Sequence, residues 1–224
     1  FWSMNERQEF PTPEILRNSL DSTALHLARA GFDIEDLDFF HQPNSQEIID
    51  AKKRLFNLGA LDEEGKITKI GREMEKISLD PHLARMMVEA RKYGDTVRRQ
   101  MAGILAVQSV GGVHKDGIVK DRFGNEKVDP WEYFIKKRDN PSTLIQEYEL
   151  FLAAHKMSNK EKRDNGILIK NFNKAREAIY QIRKREYFSD DNLTMPNKKQ
   201  TEQIIKCIVA GSADKVFSVD YYGD

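Results

Sequence analysis

The sequence predicts a mainly α-helical chain built of two units: a small one of helices closed by a hairpin, and a larger helical bundle. Three observations carry that expectation. Apolar residues recur at three- and four-residue intervals through most of the chain. Helix stops and starts (Gly31, Gly59, Asp80-Pro81, Gly111-Gly112, Asn140-Pro141, Gly211) punctuate those intervals. Only two short stretches have strand character, one around an acidic turn at 60–68 and one at 216–221. A length of 224 residues accommodates two domains that each bury a core.

The elements follow in order. Leu16, Leu20, Thr23 and Leu27 lay one stripe along a helix over 12–30 that Gly31 ends. Ile48, Ala51, Leu55 and Leu58 do the same over 44–58, with Asn44 or Ser45 placed to cap the free amides of the first turn. Ala60-Leu61-Asp62-Glu63-Glu64-Gly65-Lys66-Ile67-Thr68 reads as a small β-hairpin, and Thr68 opens a short helix through Ile70, Met74 and Ile77. Helix, helix and hairpin in this order make a winged helix.

In the second unit Asp80 caps a helix with Pro81 at its first position and Leu83, Met86, Met87 and Ala90 on its buried side. Asp95 is expected to cap the next, which carries Val97, Met101, Ile104 and Leu105. Residues 113–128 form a polar, glycine-punctuated loop, long enough to face a ligand. A helix over 141–155 follows, and then one over 166–185 whose seam is Leu168, Phe172, Ala175, Ile179 and Ile182. Residues 187–197 are a polar linker, 197–210 a last helix, and 216–221 a strand that cannot be stable without a partner.

Composition excludes several function classes. No apolar run reaches membrane-spanning length. The first residues show neither a basic nor an apolar signal region, and their lack of an initiator methionine suggests an excised fragment. The single cysteine, Cys207, sits among apolar residues and reads as a buried, inert thiol, consistent with a reducing, cytoplasmic setting. The net charge is zero, but it is unevenly spread: residues 1–80 carry −6 and residues 156–186 carry +6. A basic surface late in the chain is what phosphate binding requires.

No catalytic constellation emerges. Gly59 to Lys66 fails as a phosphate loop: five residues rather than four separate its glycines, Ile67 stands where a hydroxyl is needed, and Asp62, Glu63 and Glu64 would repel phosphate. The five histidines never pair at helical spacing, so no local metal site forms, and there is no serine-nucleophile elbow. No catalytic, metal-binding or cofactor-binding residue is expected in this chain.

Several segments in chain order resemble the C-terminal part of the DEAH/RHA-type ATP-dependent RNA helicases. Thr12 to Leu20 is similar to the segment following the second motor domain of that family. Gly59-Ala60-Leu61-Asp62, Gly65, Ile67-Thr68 and Gly71-Arg72-Glu73-Met74 resemble its wing and following helix. Leu79-Asp80-Pro81-His82-Leu83-Ala84-Arg85-Met86-Met87 is similar to the opening of its ratchet, or helicase-associated, domain. Tyr148 and the run Asn171 to Glu177 with Gln181 resemble its later ratchet helices. Ser78 departs from a common proline, Ile179 from a usual arginine, and the 113–128 loop is longer than typical.

The resemblance implies four segments: a motor-domain remnant at 1–11, a winged helix at 12–78, a helical ratchet domain at 79–210, and a truncated first strand of an OB-fold at 211–224. A bacterial source is expected. The implied parent uses ATP and Mg to unwind or remodel RNA, while this stretch, without motor residues, is catalytically inactive and guides nucleic acid. Its implied partners are single-stranded RNA, its own RecA-like domains and OB-fold, and an activator protein. The nucleic-acid contacts are expected at Lys170, Lys174, Arg176 and Gln181, with Arg98 and Arg99 as weaker candidates. Two other readings stand beside this one, a winged-helix transcription regulator and a protein-interaction scaffold. The first suffers because residues 1–80 are acidic and the second helix offers only Lys52, Lys53 and Arg54.

Overall fold

The computed structural model describes residues 20–37, 43–77, 79–115, 117, 119–120, 125–128, 143–188 and 192–213. The described part is mainly helical. Helix α1 runs Leu20–Ala30 and is followed by a 3-10 turn, Ile34–Asp36, whose first amides are held by the Asp33 carboxylate. Helix α2, Ser45–Asn57, starts on Asn44, which accepts from the Gln46 amide at 2.9 Å. The wing then narrows to a single antiparallel bridge between Leu61 and Ile67. Its tip is shaped by Asp62, whose Oδ1 accepts from the Glu64 and Lys66 amides at 3.1 and 2.8 Å. One apolar pair across an acidic turn supports no longer ladder.

Thr68 caps helix α3, Lys69–Glu75, accepting from the Gly71 amide at 3.0 Å while its hydroxyl donates to the Gly59 carbonyl at 2.6 Å. This pins the helix against the base of the wing so closely that a β-carbon at Gly71 would collide with the Ala60 carbonyl oxygen. Backbone cannot move aside as a flexible side chain can. Gly71→Ala is therefore expected to destabilise the chain by about 1–3 kcal/mol, measured as a lower urea midpoint with unchanged slope.

Helix α4, Pro81–Ala90, begins with Asp80 accepting from the His82 amide at 3.0 Å. After a 3-10 turn, Arg91–Tyr93, comes α5, Asp95–Ser109. Asp95 does not cap it. Gly94 holds the cap position with φ +85°, and Asp95, already inside the helix, accepts from Arg98 at 2.7 Å. Within the 113–128 stretch, two short strands, β1 (Val119–Lys120) and β2 (Glu126–Val128), pair antiparallel. The sequence predicts loop throughout that segment.

Helix α6 is Thr143–Ala154, and α7, Asn159–Asp164, is a short helix inside what reads as connecting chain. Ser158 and Glu161 form a reciprocal capping box that stabilises its first turn. Helix α8, Ile169–Glu186, and helix α9, Lys198–Gly211, complete the order. The polar stretch 192–197 between them is held down by Thr194, whose carbonyl accepts from Gln100 and the Tyr148 hydroxyl. The strand expected at 216–221, the remnant at 1–11 and most of the segment at 12–20 lie outside the described residues.

Helix α5 is the centre of the bundle, packed by α4, α6 and α8, and α9 lies along α4. Eight consecutive positions of α5, from Gln100 to Val107, are buried, and all but Gln100 lack a polar side chain. Close approach sets the packing distances here too: Gly103 faces the Tyr148 ring and Gly211 faces Met86. One apolar core runs without a break from Leu25, Leu55 and Met74, through Met87 and Leu105, to Phe151, Phe172 and Ile204. Because α3 packs on α4, the wing-bearing unit and the bundle share this core rather than meeting at a polar seam.

Candidate nucleic-acid interface

Helix α8 is amphipathic along its full length. Phe172, Ala175, Ile179 and Ile182 face the core, as the spacing predicts, while Leu168 sits at the cap position and is partly exposed. Ile179, which stands where arginine is usual in the resembling family, is a core residue here. The opposite side exposes Lys170, Lys174, Arg176, Lys184 and Arg185, with Glu177 the one exposed acid on the helix.

The two ends of α8 are fixed by different chemistry. At the C-terminal end Glu186 is buried, its side chain 1% exposed, and its carboxylate accepts from Arg91 Nη2 at 2.6 Å and Nε at 3.1 Å. Arg98 Nη2 donates to the same carboxylate at 3.2 Å and to the Glu186 carbonyl at 3.0 Å. Arg91 also donates to Glu73 of α3 at 2.7 Å, and Arg185 donates to the Lys76 carbonyl at 3.1 Å. Hydrogen bonds from Lys76 and Arg91 hold the Glu73 carboxyl below its ordinary 4.5. The end of the basic helix is thus tied through charge to the winged-helix side of the molecule.

At the N-terminal end the contacts are aromatic and backbone-directed. Phe172 packs on Phe151 at 5.0 Å and on His155 at 5.0 Å between ring centroids, with the Lys162 ammonium 4.5 Å over its ring. Asn171 donates to the Val110 and Gly112 carbonyls at 3.0 and 2.9 Å. Glu147 of α6 pairs with His114 and accepts from the Val113 amide at 3.1 Å. These bonds close the base of the 113–128 stretch against α6 and α8. Burial, with the Arg176 and Lys162 charges, pushes the His155 pKa below its ordinary 6.5.

The residues expected to contact nucleic acid fall into two groups. Lys170, Lys174, Arg176 and Gln181 are all exposed on α8, and none of their side chains makes a hydrogen bond or ion pair with another described residue. Arg98 is engaged by Asp95, by Glu186 and by the Phe188 ring, whose centroid lies 5.0 Å from its guanidinium. Arg99 is half-buried on α5. The structure gathers the first four on one helix and assigns Arg98 to holding that helix in place.

Sequence reasoning missed two exposed tyrosines. Tyr180 lies on α8 and Tyr187 caps its C-terminal end, at 59% and 92% exposure. A legible signal existed: aromatic residues falling off the apolar seam of an otherwise basic helix. A depression of about 560 Å³ opens over this face, and the described residues lining it include Arg176, Glu177, Tyr180 and Gln181.

The second helix offers little to a DNA groove. Lys52 is paired with Asp33 at 2.8 Å and Glu35 at 3.4 Å, and Arg54 forks onto the buried Asp21 at 2.7 and 2.9 Å. Two of its three cations thus hold the fold together. Among the described residues no group of three or more His, Cys, Asp or Glu could hold a metal ion, and no helix is long and apolar enough to cross a membrane.

Comparison with known proteins bears on this arrangement. The family model described as the winged helix of the helicase-associated domain (HA2) matches residues 53–74, from the second half of α2 through the wing to α3. The chain is 34% identical over 110 residues to the pre-mRNA-splicing factor ATP-dependent RNA helicase prp22 of Schizosaccharomyces pombe, covering 49% of this chain and 9% of that protein. It is 36% identical over 127 residues to the ATP-dependent RNA helicase HrpA of Escherichia coli, covering 54% of this chain and 10% of that one. The aligned part is about a tenth of the length of either relative.

Proposed function

We propose that this chain is the C-terminal, helicase-associated region of a DEAH/RHA-type helicase, a reading supported by the matched winged-helix segment and the two aligned helicases. It is an accessory nucleic-acid-guiding module, a winged helix at 12–78 joined to a ratchet domain at 79–210, serving a parent that unwinds or remodels RNA with ATP and Mg. The chemistry belongs to the parent's motor domains, and this region neither hydrolyses nucleotide nor binds a cofactor. Its partners are single-stranded RNA, the parent's own RecA-like domains and OB-fold, and an activator protein. Its setting is cytoplasmic.

One observation carries the reading: a run of exposed cations, without an ion-pair partner among the described residues, on a single helix whose two ends are locked into the fold. Cations free of internal partners can release counterions from phosphate, and a fixed helix presents them without a further ordering cost. Lys170, Lys174 and Arg176 bind phosphate, and Gln181 bonds to the strand beside them. The winged helix serves as a structural hub, since two of the three cations on its second helix are paired internally.

The test is a double charge reversal, Lys170→Glu with Lys174→Glu, in the full-length protein. Single-stranded RNA affinity should fall at least about tenfold at low salt. The slope of log affinity against log salt should flatten by about 1.4, the share of two phosphate contacts to a single strand. RNA stimulation of ATP hydrolysis should fall with it. An unchanged salt slope together with unchanged stimulation would remove α8 from the RNA path.

A further inference from the structure

We propose that Tyr180 and Tyr187 are a stacking platform for unpaired bases of single-stranded RNA, flanked by Arg176 and Lys184 as phosphate contacts. The proposal rests on the reading of α8 as RNA-facing and adds to it a contact with the bases.

Helix geometry places these residues together. At 100° per residue, Arg176 and Lys184 lie roughly 40° to either side of Tyr180, one turn before and one turn after it, while Tyr187 stands at the left-handed cap one position beyond the helix. Lys170 and Lys174 sit further round, at roughly 80–120°. Tyr180 and the cap residue Tyr187 are therefore about 10 Å apart along the helix axis, a span that about three stacked nucleotides cover.

Three observations argue that these rings are there to be covered. Neither stacks on another ring or a cation, nor donates a hydrogen bond, among the described residues. Both stand on a face too densely charged to bury against an apolar protein surface, since Arg176, Lys184 and Arg185 would lose their hydration with it. A base with its phosphate satisfies both, giving the ring a π-face and the cation an anion.

The third observation is conformational. Tyr187 has φ +55° and is the one non-glycine residue with positive φ among those described. A left-handed position after a helix favours glycine, and a bulky side chain there is strained. The strain is not offset by packing, because the side chain is 92% exposed. A ring kept at a position where the fold favours glycine has a use outside the fold.

The test uses the full-length protein and two fluorescent probes, a 12-nucleotide oligoadenylate RNA and an abasic ribose-phosphate strand of the same length. The wild type should bind the base-bearing strand more tightly. Tyr180→Ala should lose on the order of 5- to 100-fold on that strand, with affinity for the abasic strand and the salt slope unchanged, and Tyr180→Phe should keep wild-type binding. Tyr187→Gly should also weaken only the base-bearing strand, without lowering the thermal unfolding midpoint, since it relieves the backbone. Equal losses on both strands, or none on either, would overturn the stacking platform. Equal wild-type affinity for the two strands would overturn it while leaving the phosphate-binding role of α8 intact. A wild type that binds neither would overturn both.

Discussion

Replacing Glu186 with alanine is expected to destabilise the chain by about 3 kcal/mol, the lower end of the cost of stranding buried charge partners. The carboxylate is fully buried and answers two guanidiniums at once. Without it, among the described residues, Arg91 keeps Glu73, and Arg98 keeps the exposed Asp95, the backbone carbonyl at 186 and the Phe188 ring. Water reaches part of both arginines, at 30% and 22% side-chain exposure, which holds the effect near the bottom of the range. Glu186→Gln keeps the shape and an acceptor oxygen but not the charge, and should cost less. Urea unfolding followed by far-UV circular dichroism measures both. If the alanine variant matched the wild type within 0.5 kcal/mol, the network would be ornamental and α8 would need another anchor.

Phe151→Ala is expected to cost about 3–5 kcal/mol, because it removes a fully buried ring and leaves a cavity between α6 and α8. The ring contacts Phe172 and lies 4.5 Å from His155. Its loss frees the N-terminal half of the basic helix just as the loss of Glu186 frees the C-terminal half. Phe172 and Glu186 are roughly 20 Å apart along α8, so the two substitutions share no partner and their costs should add. Combining them measures this directly. A double variant much less destabilised than the sum would mean that α8 detaches as a unit once either end is released.

Much of this architecture is legible in the sequence because its signals are local. Asn44, Thr68 and Asp80-Pro81 announce their helices, and each caps the helix it announces. The seam of α8 is readable because four apolar positions repeat at helical spacing. Helix α7 escaped that kind of reading: six residues are too few for a period, although Ser158 and Glu161 at capping-box spacing marked it. Asp95 misled for the opposite reason, since a carboxylate near a helix start reads as a cap whether it bonds to the backbone or to an arginine three residues on.

What sequence could not reveal is pairing between distant residues. That Arg98 is engaged by Glu186, 88 positions later, turns a cation which looked available into a support for the helix beside it. The same holds for Lys52 and Arg54, whose partners lie 19 and 33 residues away. The exposed α8 cations were identified correctly as exposed because their side follows from the seam opposite them. Tyr180 shares that side, but charge pattern carries no signal for an uncharged residue standing between cations.

Pinning α8 through salt-linked groups at one end and stacked rings at the other makes it a beam on two unlike supports. The supports weaken under different conditions. Dissolved ions screen the partly hydrated arginines near Glu186, while cooling weakens the burial that holds Phe172 against Phe151. A load applied along the exposed face would therefore be passed toward the winged-helix side through charge and into the bundle through packing, and neither salt nor cold alone would release both ends.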